Sequence, residues 1–321
     1  MTAAPRLTVG LPVYNGENFL VEALDSLLGQ SYEDFELLIS DNASTDRTGD
    51  ICRRYAKQDS RVRYVRQPRN IGAAPNHNYV VEHGRGELFK WAASDDLYAR
   101  DLLGRCVAAL DEYPHIVLAH SLSAVIDSAG TITKLVNYPV QTSSMHAPER
   151  FRSMLFDGWG DDEGGVIRMD VIRQTKLQRS FHFADRTFIT ELGLYGPFYN
   201  DPDRLFFRRD HPDCAYRACP TVRSRCTNLD PRRADRLRHP VIRLYGEYVW
   251  GYADAIRRAP LSAADRAECY RHFARWLTGR ALPAADRIMH GSALRTGKPA
   301  SAATTKISVD ALVAGRESKP S

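Results

Sequence analysis

PVYNGENFLVEALDSLLGQSYEDFELLISDNASTDRT, residues 12–48, decides the fold, because it carries a strand exit, a helix and a second strand in one unbroken period. The apolar run Leu7–Val13 feeds into it as a strand. Leu20, Leu24, Leu27 and Leu28 then recur at helical spacing, and FELLIS (Phe35–Ser40) reads as the next strand. Working outward, RTGDICRRYAKQ (47–58) predicts a helix, RVRYV (61–65) a third strand and 75–83 a helix. Leu88–Ala93 predicts a fourth strand, with a helix from about Tyr98 to Glu112 and a fifth strand at Ile116–His120. Strands separated by helices pair in parallel through right-handed crossovers, so the expected fold class is α/β with a mostly parallel, doubly wound, Rossmann-like sheet. No G-x-G-x-x-G follows the first strand and no P-loop occurs, which removes the usual dinucleotide and NTPase fingerprints.

The second half is less regular, with Gly158, Gly160, Gly164 and Gly165 marking loops between Gln141 and Asp210. After Pro240, VIRLYGEYVWGYADAIRRA and SAADRAECYRHFARWLTGR read as two amphipathic helices parted by Pro260, with Ser262 and Asp265 as N-cap and first-turn acid. From Gly291 the chain is rich in Ser, Ala, Thr and Lys without periodicity, a composition expected to be disordered. The expected organisation is an α/β domain over 1–225, a helical extension over 226–290 and a tail over 291–321.

At 321 residues with 43% hydrophobic and 26% charged side chains, the composition is that of an ordinary globular protein. No run approaches the roughly 20 apolar residues of a membrane span, and MTAAPRLTVGLPVY has neither the basic start nor the apolar core of a secretion signal. A cytoplasmic location is expected. The six cysteines contain no C-x-x-C pair, and Cys214, Cys219 and Cys226 with His211 fit no common zinc spacing, so reduced thiols are expected. A net charge of +5 favours anionic ligands or a membrane surface, and no nucleic-acid motif accompanies it.

In open parallel sheets ligands bind beyond the carboxyl ends of the strands. The four strand exits here, PVYNGEN, SDNASTD, RQPRNIGAAPN and SDD, are all rich in Asp, Asn, Gly and Ser. Asp46 has a ready structural role at a helix start, and Asn70 with Gly72 suits a turn. Asp41, directly after its strand, is a candidate hydrogen-bond acceptor for a base or ribose. Two adjacent carboxylates, Asp95 and Asp96, cost stability unless a positive charge joins them. One aspartate is enough for a helix cap, so the second points to a hard cation, Mg2+ or Mn2+, shared with substrate phosphates.

In order and spacing, PVYNGENFLVEALDSLLGQSYEDFELLISDNASTDRT, RNIGAAPNHN and FKWAASDDLYARDLL resemble the GT-A-fold inverting glycosyltransferases of family 2, over roughly residues 5–120. The resemblance implies a nucleoside-diphosphate sugar donor and a hydroxyl acceptor, whether glycan, lipid-linked glycan or small metabolite. By position, Pro12, Tyr14 and Asn15 look like donor contacts at the first strand exit. Asp41 resembles the acid facing the base, and Asn70 a further donor contact. Ser94-Asp95-Asp96 occupies the D-x-D position, with Asp96 as metal ligand and Asp95 facing the ribose; Ser94 departs from the usual Asp. The later segment FADRTFITELGLYGPFYNDPDRLFFRRDHPD matches less tightly and implies Asp185 as general base, with Arg208 and His211 near the diphosphate. Trp159, Asp161 and Asp162 are candidates for the acceptor side. Two alternatives stay open: a nucleotidyltransferase, against which the first loop lacks the Gly-rich basic stretch, and a non-catalytic sugar-nucleotide or glycan binder on the same scaffold. PRRADRLRHP (231–240) suits either a peripheral contact with the inner face of the cell membrane or a solvated linker.

Overall fold

The computed structural model describes residues 4–158 and 164–281. Nine strands form one sheet: β1 Leu7–Val13, β2 Phe35–Asp41, β3 Val62–Arg66, β4 Leu88–Trp91, β5 Leu97–Tyr98, β6 Leu118–Ile126, β7 Ile132–Val136, β8 Val166–Arg168 and β9 Phe198–Arg209. The helices are α1 Leu20–Leu28, α2 Thr48–Gln58, α3 Ala73–Glu82, α4 Leu102–Glu112, α5 Ala147–Phe156 and α6 Met169–Ile172. They continue with α7 Ala184–Tyr195, α8 Ala215–Ala218, α9 Val222–Leu229, α10 Val241–Arg258 and α11 Ala263–Trp276.

The strand order is β3-β2-β1-β4-β8-β6-β9-β5, with β7 paired to β6. β1, β2, β3 and β4 are parallel, as alternating strands and helices require. Beyond β4 the pairing changes. β8 enters antiparallel to both β4 and β6, while β9 runs parallel to β6 over its length. The sheet is therefore mostly parallel with an antiparallel insertion.

Both faces of the sheet are covered, which is why β2 is buried at every residue, its polar Glu36, Ser40 and Asp41 included. One face packs Leu20, Leu24 and Leu27 of α1, Cys52 of α2 and Leu103 of α4. The opposite face packs Val80 of α3 with Phe188, Ile189 and Leu192 of α7. α10 and α11 form a third layer in which Tyr248, Tyr252, Ile256, Phe273 and Trp276 bury against Phe151 and Leu155 of α5. The expected boundary after residue 225 falls inside α9.

One expectation of the sequence fails at the site. The helix expected from Tyr98 begins at Leu102, and Leu97–Tyr98 is a short strand pairing antiparallel with Phe206 and Phe207 of β9. Asp95 and Asp96 thus sit on the turn between two strands, not at a helix start. The reason is tertiary: β9 offers an edge that takes up Leu97 and Tyr98 before helical hydrogen bonding can begin.

Candidate active site

A cavity of about 690 Å³ lies at the carboxyl end of the parallel strands. Its wall is made by Pro12 at the end of β1, Trp91–Asp96 after β4, Asp185, Arg186, Ile189 and Thr190 of α7, and Phe206 and Arg208 of β9. Lys134 and Val136 of β7 and Met154 of α5 also line it. Five of the residues expected at the site, Pro12, Asp95, Asp96, Asp185 and Arg208, converge here. Trp159, Asp161 and Asp162 lie outside the described residues.

The Asp95–Asp96 turn is held by Arg209, which the sequence groups with Arg208 and His211 as a cationic cluster. Its amide donates to Asp96 Oδ1 at 2.8 Å and its Nε donates to the carbonyl of Asp95 at 2.8 Å. The same guanidinium donates to the carbonyls of Asp127 and Ser128 and to Glu22 Oε2 at 2.7 Å, and lies 4.6 Å from the Phe19 ring. At 2% exposure it staples the turn to α1 and to the β6–β7 connection. A buried guanidinium with every edge used makes a rigid clamp. On the other side, the Ala93 amide donates to Tyr98 Oη at 2.8 Å. A Cβ placed on Gly16 would lie 3.1 Å from Ser94 Oγ, so the β1–α1 loop packs directly on the turn.

Asp95 and His211, expected as separate contacts, meet each other: His211 Nε2 lies 3.0 Å from Asp95 Oδ2, donating when it carries the proton. The His211 ring packs 4.7 Å from Phe19. His211 therefore stands behind Asp95, one contact from the cavity wall.

Asp185 occupies the first turn of α7, which starts after Phe183 in the left-handed region at φ 60°. Its side chain is exposed on the cavity wall, yet the surrounding protein crowds the carboxylate and weakens its solvation. That desolvation raises its pKa above the ordinary carboxylate range, opposed by a backbone hydrogen bond and the charge of Arg186 and by Arg225. Arg186 is itself pushed down by burial, against the support of Tyr252, Tyr248 and Asp185.

Lys90 lies beneath the cavity floor. It is fully buried within β4, donates to the Gly164 carbonyl, and sits 5.1 Å from the Tyr98 ring and 5.7 Å from that of Phe206. Burial lowers its pKa to about 8, with Cys106 and Asp96 acting the other way. The signal was present in the sequence: a lysine inside the apolar run LFKWAA has no surface to reach. Trp91 and His77 are further wall residues that the reading missed, joined by a 3.1 Å bond from Trp91 Nε1 to the His77 carbonyl.

The remaining expected residues lie outside this cavity wall. Asn15, at φ 51°, accepts from the Thr45 amide at 2.8 Å, which ties the first strand exit to the second. Asn70 accepts from Asn42 Nδ2 and the Gly72 amide, holding the turn before α3. Tyr14, directly after β1, is half exposed. Asp41 is wholly buried, accepting from the Ser44 amide at 2.7 Å and from Tyr64 Oη and Arg66 Nη1 at 2.8 Å each. In this conformation its oxygens serve these three donors and shape the wall beside β3. Asp46 clasps the same loops, accepting from the Thr48 and Glu17 amides. Burial alone would raise its pKa, but hydrogen bonds from Thr48 and Glu17 hold it low.

Among the described residues no group of three His, Cys, Asp or Glu side chains is placed to hold a metal ion. The described residues thus offer carboxylate oxygens at Asp95 and Asp96 and, among themselves, no complete cage. That donor set suits a hard divalent ion that takes its other ligands from phosphate oxygens and water.

The sequence model described as glycosyl transferase family 2 matches residues 8–168, half of the chain. An uncharacterized glycosyltransferase of Haemophilus influenzae is 33% identical over 132 residues, covering 41% of this chain and 52% of that protein. Glycosyltransferase GlyG of Streptococcus pneumoniae serotype 4 is 34% identical over 97 residues, covering 30% of this chain and 32% of its own length. The match thus spans about half of the first relative and about a third of the second. Among solved structures, S. aureus TarS 1-349 in complex with UDP-GlcNAc aligns with a TM-score of 0.66 at 17% identity, covering 90% of this chain and 76% of that one. The mannosyltransferase PcManGT of Pyrobaculum calidifontis, in complex with GDP-Man and Mn2+, aligns with a TM-score of 0.53 at 19% identity, covering 90% and 88%. At these identities the structural likeness establishes the shared GT-A architecture.

Proposed function

This chain belongs to glycosyl transferase family 2, and from that membership we propose that it moves a sugar from a nucleoside-diphosphate sugar to an acceptor hydroxyl, with inversion at the anomeric carbon. The observation that carries the reading is the meeting of Asp95 and Asp96, from the β4–β5 turn, with Asp185, from the start of α7, in one cavity. One site for a diphosphate-bound cation and one carboxylate suited to take a proton are what the reaction asks for. The nucleotide sugars held by the two structural neighbours support a donor of this class.

In this mechanism Asp96, with Asp95 beside it, would hold Mg2+ or Mn2+, and that ion would supply charge neutralisation at the departing diphosphate, an effect worth several kcal/mol. Arg209 keeps the Asp96 carboxylate aimed by donating its amide to Oδ1. Asp95, backed by His211, is assigned to the ribose, and Arg208 to the phosphates. Pro12, Tyr14 and Asn15 belong to the loop against which the nucleoside lies, with Asp41 and Asn70 fixing the neighbouring walls. Asp185 takes the proton from the acceptor hydroxyl as its oxygen attacks the anomeric carbon on the face opposite the leaving diphosphate. A carboxylate with a raised pKa is a better base for that transfer than a solvated one.

A thermal-shift panel of nucleoside-diphosphate sugars tests the donor assignment. At a concentration about 100 times Kd, the true donor stabilises the folded chain by roughly 2.7 kcal/mol, and only with Mn2+ or Mg2+ present. A panel with no metal-dependent shift for any donor contradicts the proposal.

A further inference from the structure

Charge and exposed apolar surface gather in one region outside the cavity. Residues 217–250 hold eight arginines against three acids, Asp230, Asp235 and Glu247, and no lysine. That is a net +5, equal to the total of the whole chain, so the rest of the molecule is close to neutral. Leu237, in the same stretch, is 94% exposed, followed by Ile242 at 68% and Trp250 at 60%. Ile242, Gly246 and Trp250 fall at i, i+4 and i+8 of α10, which puts them on one helix face. A Cβ built on Gly246 meets nothing within 4 Å, so that face is uncovered between its two large side chains. Arg236 is exposed, and Arg238 and Arg243 reach solvent while leaning on Asp235 and Glu247.

We propose that this face, from Leu237 through Ile242 to Trp250, is a peripheral docking surface for an anionic phospholipid bilayer. Apolar side chains of this kind sink into the boundary between head groups and acyl chains while flanking basic residues meet the phosphates. Tryptophan is favoured at that depth because its ring is apolar and its N–H polar. Charge selects the occupant. Residues 282–321 carry six basic side chains against three acidic ones, so the chain's own tail does not complement the face, and a second copy of the same face repels it.

The face also abuts the site. A cavity of about 320 Å³ lined by Arg232, Arg233 and Trp250 shares Gln178 with the main cavity. Resting on the transferase reading, docking places the cavity beside a lipid surface and favours an acceptor carried there.

Vesicle co-sedimentation of the full chain, with no donor or acceptor added, tests the proposal apart from the transferase reading. The chain is expected to bind phosphatidylglycerol-containing vesicles, to release in high salt, and to ignore pure phosphatidylcholine. The pair Arg236→Gln and Arg238→Gln lowers binding by roughly 30-fold, at about 1 kcal/mol for each basic residue near the surface. Leu237→Ser with Ile242→Ser also weakens it, and a vesicle-dependent blue shift of fluorescence disappears in Trp250→Phe. These positions are exposed, so the variants keep the parent thermal transition. Absence of binding, equal binding to both vesicle types, or variants that bind like the parent overturns the proposal. So does a dimer in sedimentation equilibrium that the same substitutions dissolve.

Discussion

Asp185 is the residue on which the proposed chemistry turns. Asp185→Asn keeps the shape and removes the proton acceptor, so turnover is expected to fall by roughly 10²–10⁴-fold with donor binding retained. The pH dependence follows from its raised pKa. The carboxylate is active when ionised, and the cavity disfavours that form, so the rate is full above the raised pKa and is lost as pH falls through it. A turnover profile in which the acid limb lies above the ordinary carboxylate range checks this, and a limb near 4 speaks against it. At this scale the polar residues that follow the apolar β4 run, Asp95 and Asp96, do reach the cavity wall. Arg209 and Lys90 were harder to assign. An arginine beside another arginine and a lysine inside a strand gain their meaning only when β9 closes on the β4–β5 turn. Asn15, Asn70 and Asp41 show the converse, polar residues at strand exits whose side chains are taken up by neighbouring loops.

At the scale of elements, the parallel half was legible because each strand and helix carries its own period, from Leu7 to Glu112. The β4–β5 turn was not, because LYAR has no preference strong enough to resist pairing with β9. The C-terminal helices were legible as amphipathic segments, yet their partner was not. α10 attaches to α7 through ions as well as rings. Asp254 accepts from Arg179 at 2.9 Å, Arg257 at 2.7 Å and Arg258 at 3.2 Å, and Arg258 donates to Glu191 of α7 at 2.5 Å. Asp254 is buried and Arg258 partly so, so removing the carboxylate leaves a partly buried guanidinium with one partner fewer. Asp254→Ala is expected to cost about 3 kcal/mol in urea unfolding, more than an exposed ion pair contributes. A loss under about 0.5 kcal/mol, the size of an exposed pair, shows that the rings of Tyr248, Tyr252 and Trp276 hold the helix alone.

For the whole molecule, stability and activity respond to acid through different groups. His120 and His182 are 2% and 4% exposed, and burial pushes both to about 4. Unfolded histidines bind protons near 6.5, so the unfolded chain gains protons first and stability falls as pH drops from about 6.5 to 4. Each contributes at most roughly 3 kcal/mol across that window. Urea midpoints measured from pH 7 to pH 4.5 are expected to decline, less steeply in His182→Gln, whereas a flat profile removes the histidines from the account. Above this sits the central claim that the cavity is a metal-assisted transferase site built on Asp96. Its most direct test is release of nucleoside diphosphate from a panel of nucleoside-diphosphate sugars with Mn2+, comparing the parent chain with Asp96→Asn, which keeps an acceptor for the Arg209 amide. The account predicts release from at least one donor, abolished by a chelator and reduced at least 100-fold in Asp96→Asn, in line with the several kcal/mol such an ion supplies. Release that persists unchanged in Asp96→Asn, or no release from any donor, contradicts it.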